Sequence, residues 1–252
     1  MASDPLYLLR LDVEAPRLYS LAKRHRLPPK GNDLGYVLHA GLAALFGDQR
    51  PESFAIDRAE GRWIRLLAYS EQPLAALRER AELYADPEVY RLCDWDRAAD
   101  KSMPSVWREG QRLGFQVRVC PTVRMARAGE HHKKGAEVDV FLATARQEPE
   151  GPRPDREVVY RKWLGAALDR SGGARLEVAR IENFHLEALL RRTQGEERRA
   201  RRGLRKPDAM MRGALTITTP ERFEALLRRG VGRHRAFGFG MLLLRPDRGD
   251  GC

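Results

Sequence analysis

The order in which apolar runs alternate with helical patterns constrains the fold of this chain most strongly. Short apolar-rich or alternating runs predict strands at residues 6–13, 54–56, 63–69 and 115–119. Helical patterns lie between the first and second of these strands and between the third and fourth. The resulting order, strand, helix, strand, strand, helix, strand, is typical of a ferredoxin-like unit.

The second half repeats this order of elements, although not the sequence. Extended segments are predicted at residues 138–143, 176–181, 184–190, 215–218 and 241–244. Residues 158–168 predict one helix. A second helix begins at Pro220, after the capping residue Thr219, and ends at Gly230.

Two units of this size fit a chain of 252 residues. We therefore predict an α+β fold of two tandem ferredoxin-like (RRM-like) domains. The expected domains are residues 1–130 and 131–252, with the boundary inside residues 125–136. Residues 14–34 predict a loop or partly helical insertion.

The charge of the chain indicates a polyanionic partner. Lys and Arg number 46 against 35 Asp and Glu, which gives a net charge of +11. Nucleic acid is the leading candidate, because basic side chains neutralise phosphates and release counterions. An anionic membrane surface and plain solubility are the alternatives.

Other features of the composition exclude several classes of protein. No apolar run reaches the roughly 18 residues that a membrane span needs, and the first residues lack the layout of a signal peptide. Cys93, Cys120 and Cys252 form no CxxC pair, so neither a disulfide framework nor a zinc site is indicated. We expect a cytoplasmic protein that binds no membrane.

A glycine-rich segment, GVGRHRAFGFG at residues 230–240, follows the last predicted helix. It lacks the GxxxxGK[ST] pattern of a P-loop. It also lies between a helix and a strand, the reverse of the order that the dinucleotide fingerprint requires. Such a loop can present backbone N–H groups to an RNA backbone, or it can be only a tight connection.

This segment and its flanks resemble the C-terminal signature of the CRISPR repeat RNA endonucleases, in particular the CasE branch, the type I-E Cascade subunit. Residues 212–246 are similar to the whole C-terminal block of that branch. Residues 113–125, LGFQVRVCPTVRM, resemble its Phe-x-Leu-Arg-x-Asn-Pro-Thr segment, with Cys120 where Asn is usual. Residues 159–168 resemble its Trp-Leu helix. The resemblance covers most of the chain and fails at residues 14–34 and roughly 75–110.

His39 is the leading candidate for a catalytic residue. A helix is predicted from a cap at Asn32 or Asp33 to Gly47, with an apolar stripe of Leu38, Leu42 and Leu45. His39 lies at the edge of this stripe, and Tyr36 lies one turn earlier and further toward solvent. A metal-free RNase needs an acid and a base, and histidine suits both because its pKa is about 6.5. From the residues alone, such a pair more often consists of boundary residues bonded to backbone or water.

The family resemblance implies a role for this pair, because Tyr36-Val-Leu-His39 resembles the Tyr-x-x-His motif of the CasE branch. It implies that His39 is catalytic and that Tyr36 lies beside it in the active site. The implied reaction is cleavage of CRISPR repeat RNA at the 3′ base of its stem-loop, without metal or small-molecule cofactor. Its products carry a 2′,3′-cyclic phosphate and a 5′-OH. The implied partners are repeat RNA, crRNA and other Cascade subunits.

Two segments are expected to contact RNA. Residues 191–206 are strongly basic, which is typical of a solvated face or of a phosphate clamp on duplex RNA. The resemblance favours a clamp that begins at Arg191 and Arg192. The full set of expected RNA-binding residues is Arg191, Arg192, Arg198, Arg199, Arg201, Arg202, Arg233, Arg235, Gly232 and Gly238.

The remaining histidines give weaker indications. His131 and His132 precede two lysines, which indicates a solvated basic loop more than a metal site. His234 lies in the glycine-rich segment and is expected near RNA, as a second acid or a phosphate contact. The main alternative function is a non-catalytic crRNA-binding subunit of similar fold. A basic structural protein of a ribonucleoprotein is a more distant alternative.

Overall fold

Two four-stranded antiparallel sheets organise the chain. The computed structural model describes residues 5–25, 34–130, 132–147, 151–189 and 204–247. Within these residues, no helix combines the length and the apolar composition needed to cross a membrane.

The first sheet and its helices come from the N-terminal part of the chain. Its elements are β1 (Tyr7–Glu14), α1 (Ala15–Arg24), α2 (Leu34–Phe46), β2 (Phe54–Glu60), β3 (Trp63–Ser70), α3 (Leu74–Tyr84), α4 (Pro87–Tyr90) and β4 (Ala99–Ser102). A 3₁₀ turn at Gly47–Gln49 follows α2. The strands lie in the order β2-β3-β1-β4.

The second sheet comes from the remainder of the chain. Its unit comprises β5 (Arg112–Val119), β6 (Thr122–Arg124), β7 (Glu137–Asp139), α5 (Val140–Ala145), α6 (Arg156–Ser171), β8 (Ala174–Leu189), β9 (Leu204–Ile217), α7 (Pro220–Arg229) and β10 (Leu243–Arg245). A 3₁₀ turn at Arg235–Phe237 lies between α7 and β10. The four main strands lie in the order β10-β5-β9-β8, while β6 and β7 pair with each other.

Both sheets have the same topology. Within each unit, the strands lie in the order fourth, first, third, second, and every pairing is antiparallel. This is the strand order of a ferredoxin-like unit, so the predicted fold of two tandem units is confirmed.

The assignment of one strand to its unit was wrong. Residues 115–119 were expected to close the first unit, but β5 pairs with β9 and β10 and is the first strand of the second unit. The strand that closes the first sheet is β4, whose sequence is ADKS. Because β4 is a short and mostly exposed edge strand, it has no apolar alternation from which it could be predicted.

The strand predicted at residues 138–143 was also largely wrong. Only Glu137–Asp139 is a strand, and a helix starts at Val140. The change occurs at Asp139, whose carboxylate accepts a hydrogen bond of 2.9 Å from the backbone N–H of Phe141. This contact caps the helix and ends the extended conformation.

Most other predicted elements are confirmed. The helix with His39 ends at Phe46, although its predicted caps Asn32 and Asp33 lie outside the described residues. The first insertion is partly helical, since α1 occupies part of it. The two segments predicted at residues 176–181 and 184–190 form one long strand with two irregularities in register. Thr219 occupies the N-cap of α7 but makes no side-chain capping bond.

Two hydrophobic cores hold the units, and the second core joins them. One core lies between the first sheet and the helices α1 to α3. The other belongs to the second unit but also contains Leu6 and Tyr69 of the first. The buried hydroxyl of Tyr69 donates a hydrogen bond of 3.0 Å to the carbonyl oxygen of Leu242. The two units therefore share packed surface, which brings distant parts of the chain together.

Candidate active site

Helix α2 positions the first two residues of the candidate site. Leu38, Leu42 and Leu45 are 1%, 3% and 3% exposed, which confirms the predicted apolar stripe. Burying each leucine contributes about 1.5–3 kcal/mol, so the helix is firmly fixed. His39 and Tyr36 are both half-buried at the border of this stripe, so Tyr36 is less open to solvent than expected.

The glycine-rich segment folds into a closed loop. The N–H of Val231 donates to the carbonyl oxygen of Gly240 at 2.7 Å, and this bond joins the two ends of the segment. Gly230 and Gly240 have φ angles of 74° and 83°, which side chains other than glycine rarely adopt. A β-carbon at Gly240 would also overlap the carbonyl oxygen of Val231. The glycines are therefore required by the backbone of the loop itself.

The tip of this loop packs against α2. The ring of Phe237 stacks on Tyr36, with 5.7 Å between ring centroids, and meets the ring of His39 edge-on at 5.9 Å. Close approach is possible because residue 35 is a glycine: a β-carbon there would overlap the carbonyl oxygen of Phe237. The two sequence motifs of the candidate site, separated by about three quarters of the chain, thus meet in one place.

The surroundings of His39 favour its neutral form. Burial lowers the pKa of the imidazole from its ordinary value, and the positive charge of Arg50 lowers it further. At neutral pH, the ring therefore carries a free lone pair and can accept a proton. A neutral histidine beside a tyrosine can serve as the base that removes a proton from a hydroxyl group.

Glu137 holds the other side of the glycine-rich loop. Its carboxylate contacts Nη1 of Arg233 at 3.1 Å, Nε2 of His234 at 3.0 Å and Nζ of Lys206 at 3.3 Å. Burial alone raises the pKa of Glu137, but His234 and Lys206 outweigh it and keep the pKa below its usual value. His234 itself has a φ of 61°, a conformation that costs a non-glycine residue energy. The ionised carboxylate thus stabilises a strained part of the loop.

Aromatic contacts connect the glycine-rich loop to the second sheet. The ring of His234 lies 6.2 Å from Phe237 and 6.4 Å from Phe239. The guanidinium of Arg118 lies 4.3 Å above the ring of Phe239. Its Nη2 contacts Oδ2 of the buried Asp208 at 2.6 Å.

Asp208 extends this network to the hairpin of β8 and β9. Nε2 of His185, which is half exposed, contacts Oδ2 of Asp208 at 2.8 Å. His185 lies on β8 and Asp208 on β9, the two strands that lead into and out of the basic segment. The candidate site and the base of that segment are therefore linked by side-chain contacts.

The expected RNA-binding residues fall into two groups. Six of them, Arg191, Arg192, Arg198, Arg199, Arg201 and Arg202, lie outside the described residues. The other four, Arg233, Arg235, Gly232 and Gly238, lie in the glycine-rich loop beside α2. Arg233 is bound to Glu137, and Nη1 of Arg235 donates to the carbonyl oxygen of Arg229 at 2.9 Å. Gly232 and Gly238 both have positive φ, and Gly232 lies against the ring of Trp163.

Several residues of the site were not identified from the sequence patterns. Phe237 was visible within the glycine-rich segment but was not chosen, and Gly35 lies next to Tyr36. Glu137 and Asp208 become evident only when distant strands come together. Cys120, which stands where the family pattern has Asn, is 1% exposed. Burial raises the pKa of its thiol to about 12, so this cysteine stays protonated and packs as an apolar side chain.

Comparison with known proteins gives consistent matches. The family model described as "CRISPR associated protein" matches residues 6–246. The CRISPR-associated endoribonuclease Cse3 of Thermus thermophilus is 32% identical over 145 residues, which are 55% of this chain and 58% of that protein. The match therefore spans little more than half of the length of this curated relative.

Solved structures share the fold. Thermus thermophilus Cse3 bound to an RNA representing a pre-cleavage complex superposes with a TM-score of 0.60 at 22% identity, covering 96% of this chain and 100% of that chain. Cas6e from Escherichia coli K-12 gives a TM-score of 0.56 at 17% identity, covering 95% and 99%. At these identities, the likeness shows the common fold of two tandem ferredoxin-like units.

Proposed function

The chain belongs to the CRISPR associated protein family, and on that premise we propose that it is a metal-independent endoribonuclease. Its substrate is the stem-loop of CRISPR repeat RNA, which it cleaves at the 3′ base of the stem to produce mature crRNA. The relatives named above as endoribonucleases and RNA complexes support this proposal.

One observation carries the proposal: His39 and Tyr36 on α2 lie against the tip of the glycine-rich loop. In the proposed reaction, the neutral imidazole of His39 takes the proton of the ribose 2′-OH. The resulting oxygen attacks the adjacent phosphorus, and the bond from phosphorus to the 5′-oxygen breaks. The products carry a 2′,3′-cyclic phosphate and, after the leaving oxygen gains a proton, a 5′-OH.

We propose that the RNA stem is bound by the arginines of the segment between β8 and β9. Arg191 and Arg192 begin this clamp, and Arg198, Arg199, Arg201 and Arg202 extend it. Arg233 and Arg235 contact phosphates near the site, where Gly232 and Gly238 shape the path of the RNA. The network from Asp208 to Phe239 supports this arrangement, because it joins the base of the clamp to the loop.

The organisation of the chain follows from the same proposal. We place the domain boundary within residues 103–111 instead of near residue 130, because β5 pairs with β9 and β10 of the second sheet. The protein acts in the cytoplasm and stays bound to the crRNA as a subunit of a Cascade-type complex. A structure of a CRISPR RNA-guided surveillance complex is among the matches of similar fold.

Cleavage without metal is the direct test of this function. The protein is incubated in excess EDTA with repeat hairpin RNA, and the ends of both products are analysed. We expect a 2′,3′-cyclic phosphate and a 5′-OH, and no cleavage when the ribose at the scissile position lacks its 2′-OH. Tight binding without any cleavage would instead indicate a non-catalytic crRNA-binding subunit.

A further inference from the structure

A second basic element lies beside the candidate site. Residues 122–139, which we call the basic hairpin, comprise β6, β7 and the segment between them, whose strands pair from Thr122 with Asp139 to Arg124 with Glu137. Four exposed cationic side chains project from it: Arg124, Arg127, Lys133 and Lys134. Neither the sheet topology nor the proposed reaction requires this hairpin.

Most of the negative charge of the basic hairpin is turned inward. Glu137 and Asp139 have side chains that are 12% and 5% exposed, and Glu130 is its one exposed acidic residue. Glu137 binds the glycine-rich loop, and Asp139 binds Nη1 of Arg156 at 3.0 Å. In the described parts of the chain, by contrast, none of the four cations forms an ion pair. The outer surface therefore carries four cations against the one exposed carboxylate of Glu130, an excess of positive charge that favours an anionic partner.

Backbone hydrogen bonds hold the basic hairpin in shape. The N–H of Met125 donates to the carbonyl oxygen of Ala136 at 2.9 Å, and the N–H of Gly135 donates to the carbonyl oxygen of Met125 at 2.8 Å. At its base, Nε1 of Trp163 donates to the carbonyl oxygen of Thr122 at 3.2 Å. The backbone of the hairpin therefore loses little conformational entropy on binding, and the cost is confined to its exposed side chains.

The position of the basic hairpin indicates which part of an RNA it can reach. Glu137 at its base binds Arg233 and His234, and the tip of that same loop touches His39. A strand whose phosphate lies at His39 can therefore continue across the loop onto the hairpin. The proposed stem clamp is a different segment, between β8 and β9, so the hairpin is left for RNA outside the stem.

We infer that the basic hairpin binds the phosphates of the single-stranded RNA that flanks the stem of the substrate. This inference rests on the proposed function, because the position of the flank is defined by the scissile phosphate. Contacts to phosphates carry no sequence information, so the hairpin serves flanks of any sequence. Because of these contacts, the protein binds uncleaved or flanked RNA more tightly than it binds the bare stem.

The test compares two triple variants of equal charge. Arg127, Lys133 and Lys134 are changed to Ala in one variant; in the control, three exposed cations on other elements, Lys101, Arg108 and Arg170, are changed to Ala. The Kd for repeat hairpin RNA, with and without single-stranded flanks, is measured from 50 to 200 mM salt. Each lost phosphate contact on a single strand reduces the slope of log K against log salt by about 0.7, or about 2 for three contacts.

We expect this reduction for the hairpin variant with flanked RNA only. Between the two salt concentrations, the affinity of the wild type would then fall roughly 15- to 20-fold more than that of the variant. Equal slopes for the hairpin variant, the control and the wild type would overturn the inference. A decrease in slope that is as large with bare stems as with flanked RNA would also overturn it. If the wild type itself does not prefer the repeat hairpin to other RNA, the proposed function fails instead.

Discussion

At the scale of single residues, His39 illustrates how a common side chain acquires a specific chemical state. The edge of the apolar stripe buries half of the imidazole, and the ring of Phe237 covers part of it. Because water no longer stabilises the imidazolium fully, the neutral form is favoured. The sequence could place His39 on this face of α2, but it gave no information about Phe237 or Arg50 as neighbours.

The pKa of His39 in the free protein should lie below its ordinary value of about 6.5, because burial and then Arg50 penalise the imidazolium. Replacing Arg50 with Ala removes the second cause, so we expect the pKa to rise toward that value without reaching it. NMR titration of the imidazole protons measures the pKa of His39 in the wild type and in the Arg50→Ala variant. A pKa of His39 at or above the ordinary value of about 6.5 would contradict the account.

The same shift has a consequence for stability. Since the folded protein binds the proton of His39 less readily than the unfolded chain does, the unfolded state gains protons first as the pH falls. The contribution of this residue to the free energy of unfolding is therefore complete above the ordinary pKa. It decreases as the pH falls below that value.

At the scale of elements, sequence patterns were sufficient for the longer helices and the inner strands but not for the short helix α5. The start of α7 at Pro220 and its end at Gly230 are as predicted, and the apolar residues on its inner face, Phe223, Leu226 and Leu227, are buried. The edge strand β4 and the short strand β6 escaped prediction. Their extended conformation depends on pairing with β1 and β7 rather than on their own sequences.

Gly35 provides a test of the contact between α2 and the glycine-rich loop. Helix propensity alone predicts that Gly35→Ala stabilises the protein, since Ala is favoured over Gly by about 1 kcal/mol in helix interiors. The overlap with Phe237 predicts the opposite, a loss of about 1–3 kcal/mol, together with slower RNA cleavage. Urea denaturation and single-turnover cleavage measure the two effects.

Gly165→Ala is the matched control for this substitution. Gly165 lies within α6, and a β-carbon there would meet the side chain of Leu176 at an ordinary contact distance of 3.7 Å. We expect this variant to be more stable than the wild type by about 0.5–1 kcal/mol and to cleave at the same rate. If both variants gain stability alike, Gly35 is not the point of close contact.

At the scale of the whole molecule, the candidate site exists because the two units pack together. Repeated element order predicted two ferredoxin-like units, and a family resemblance directed attention to His39 and the glycine-rich loop. That these two features touch could not be predicted from spacing or periodicity. The contact depends on the shared core around Tyr69 and Leu242 and on strand pairings between distant segments.

The most direct test of the central claim is single-turnover cleavage of repeat hairpin RNA by His39→Ala. Loss of a catalytic base costs about 10²–10⁴ in rate, so we expect a decrease of at least 100-fold while the Kd for the RNA stays within a few-fold of wild type. His25→Ala, at an exposed position at the end of α1, should cleave normally. Cleavage by His39→Ala at the wild-type rate would contradict the assignment of catalysis to the site formed by α2 and the glycine-rich loop.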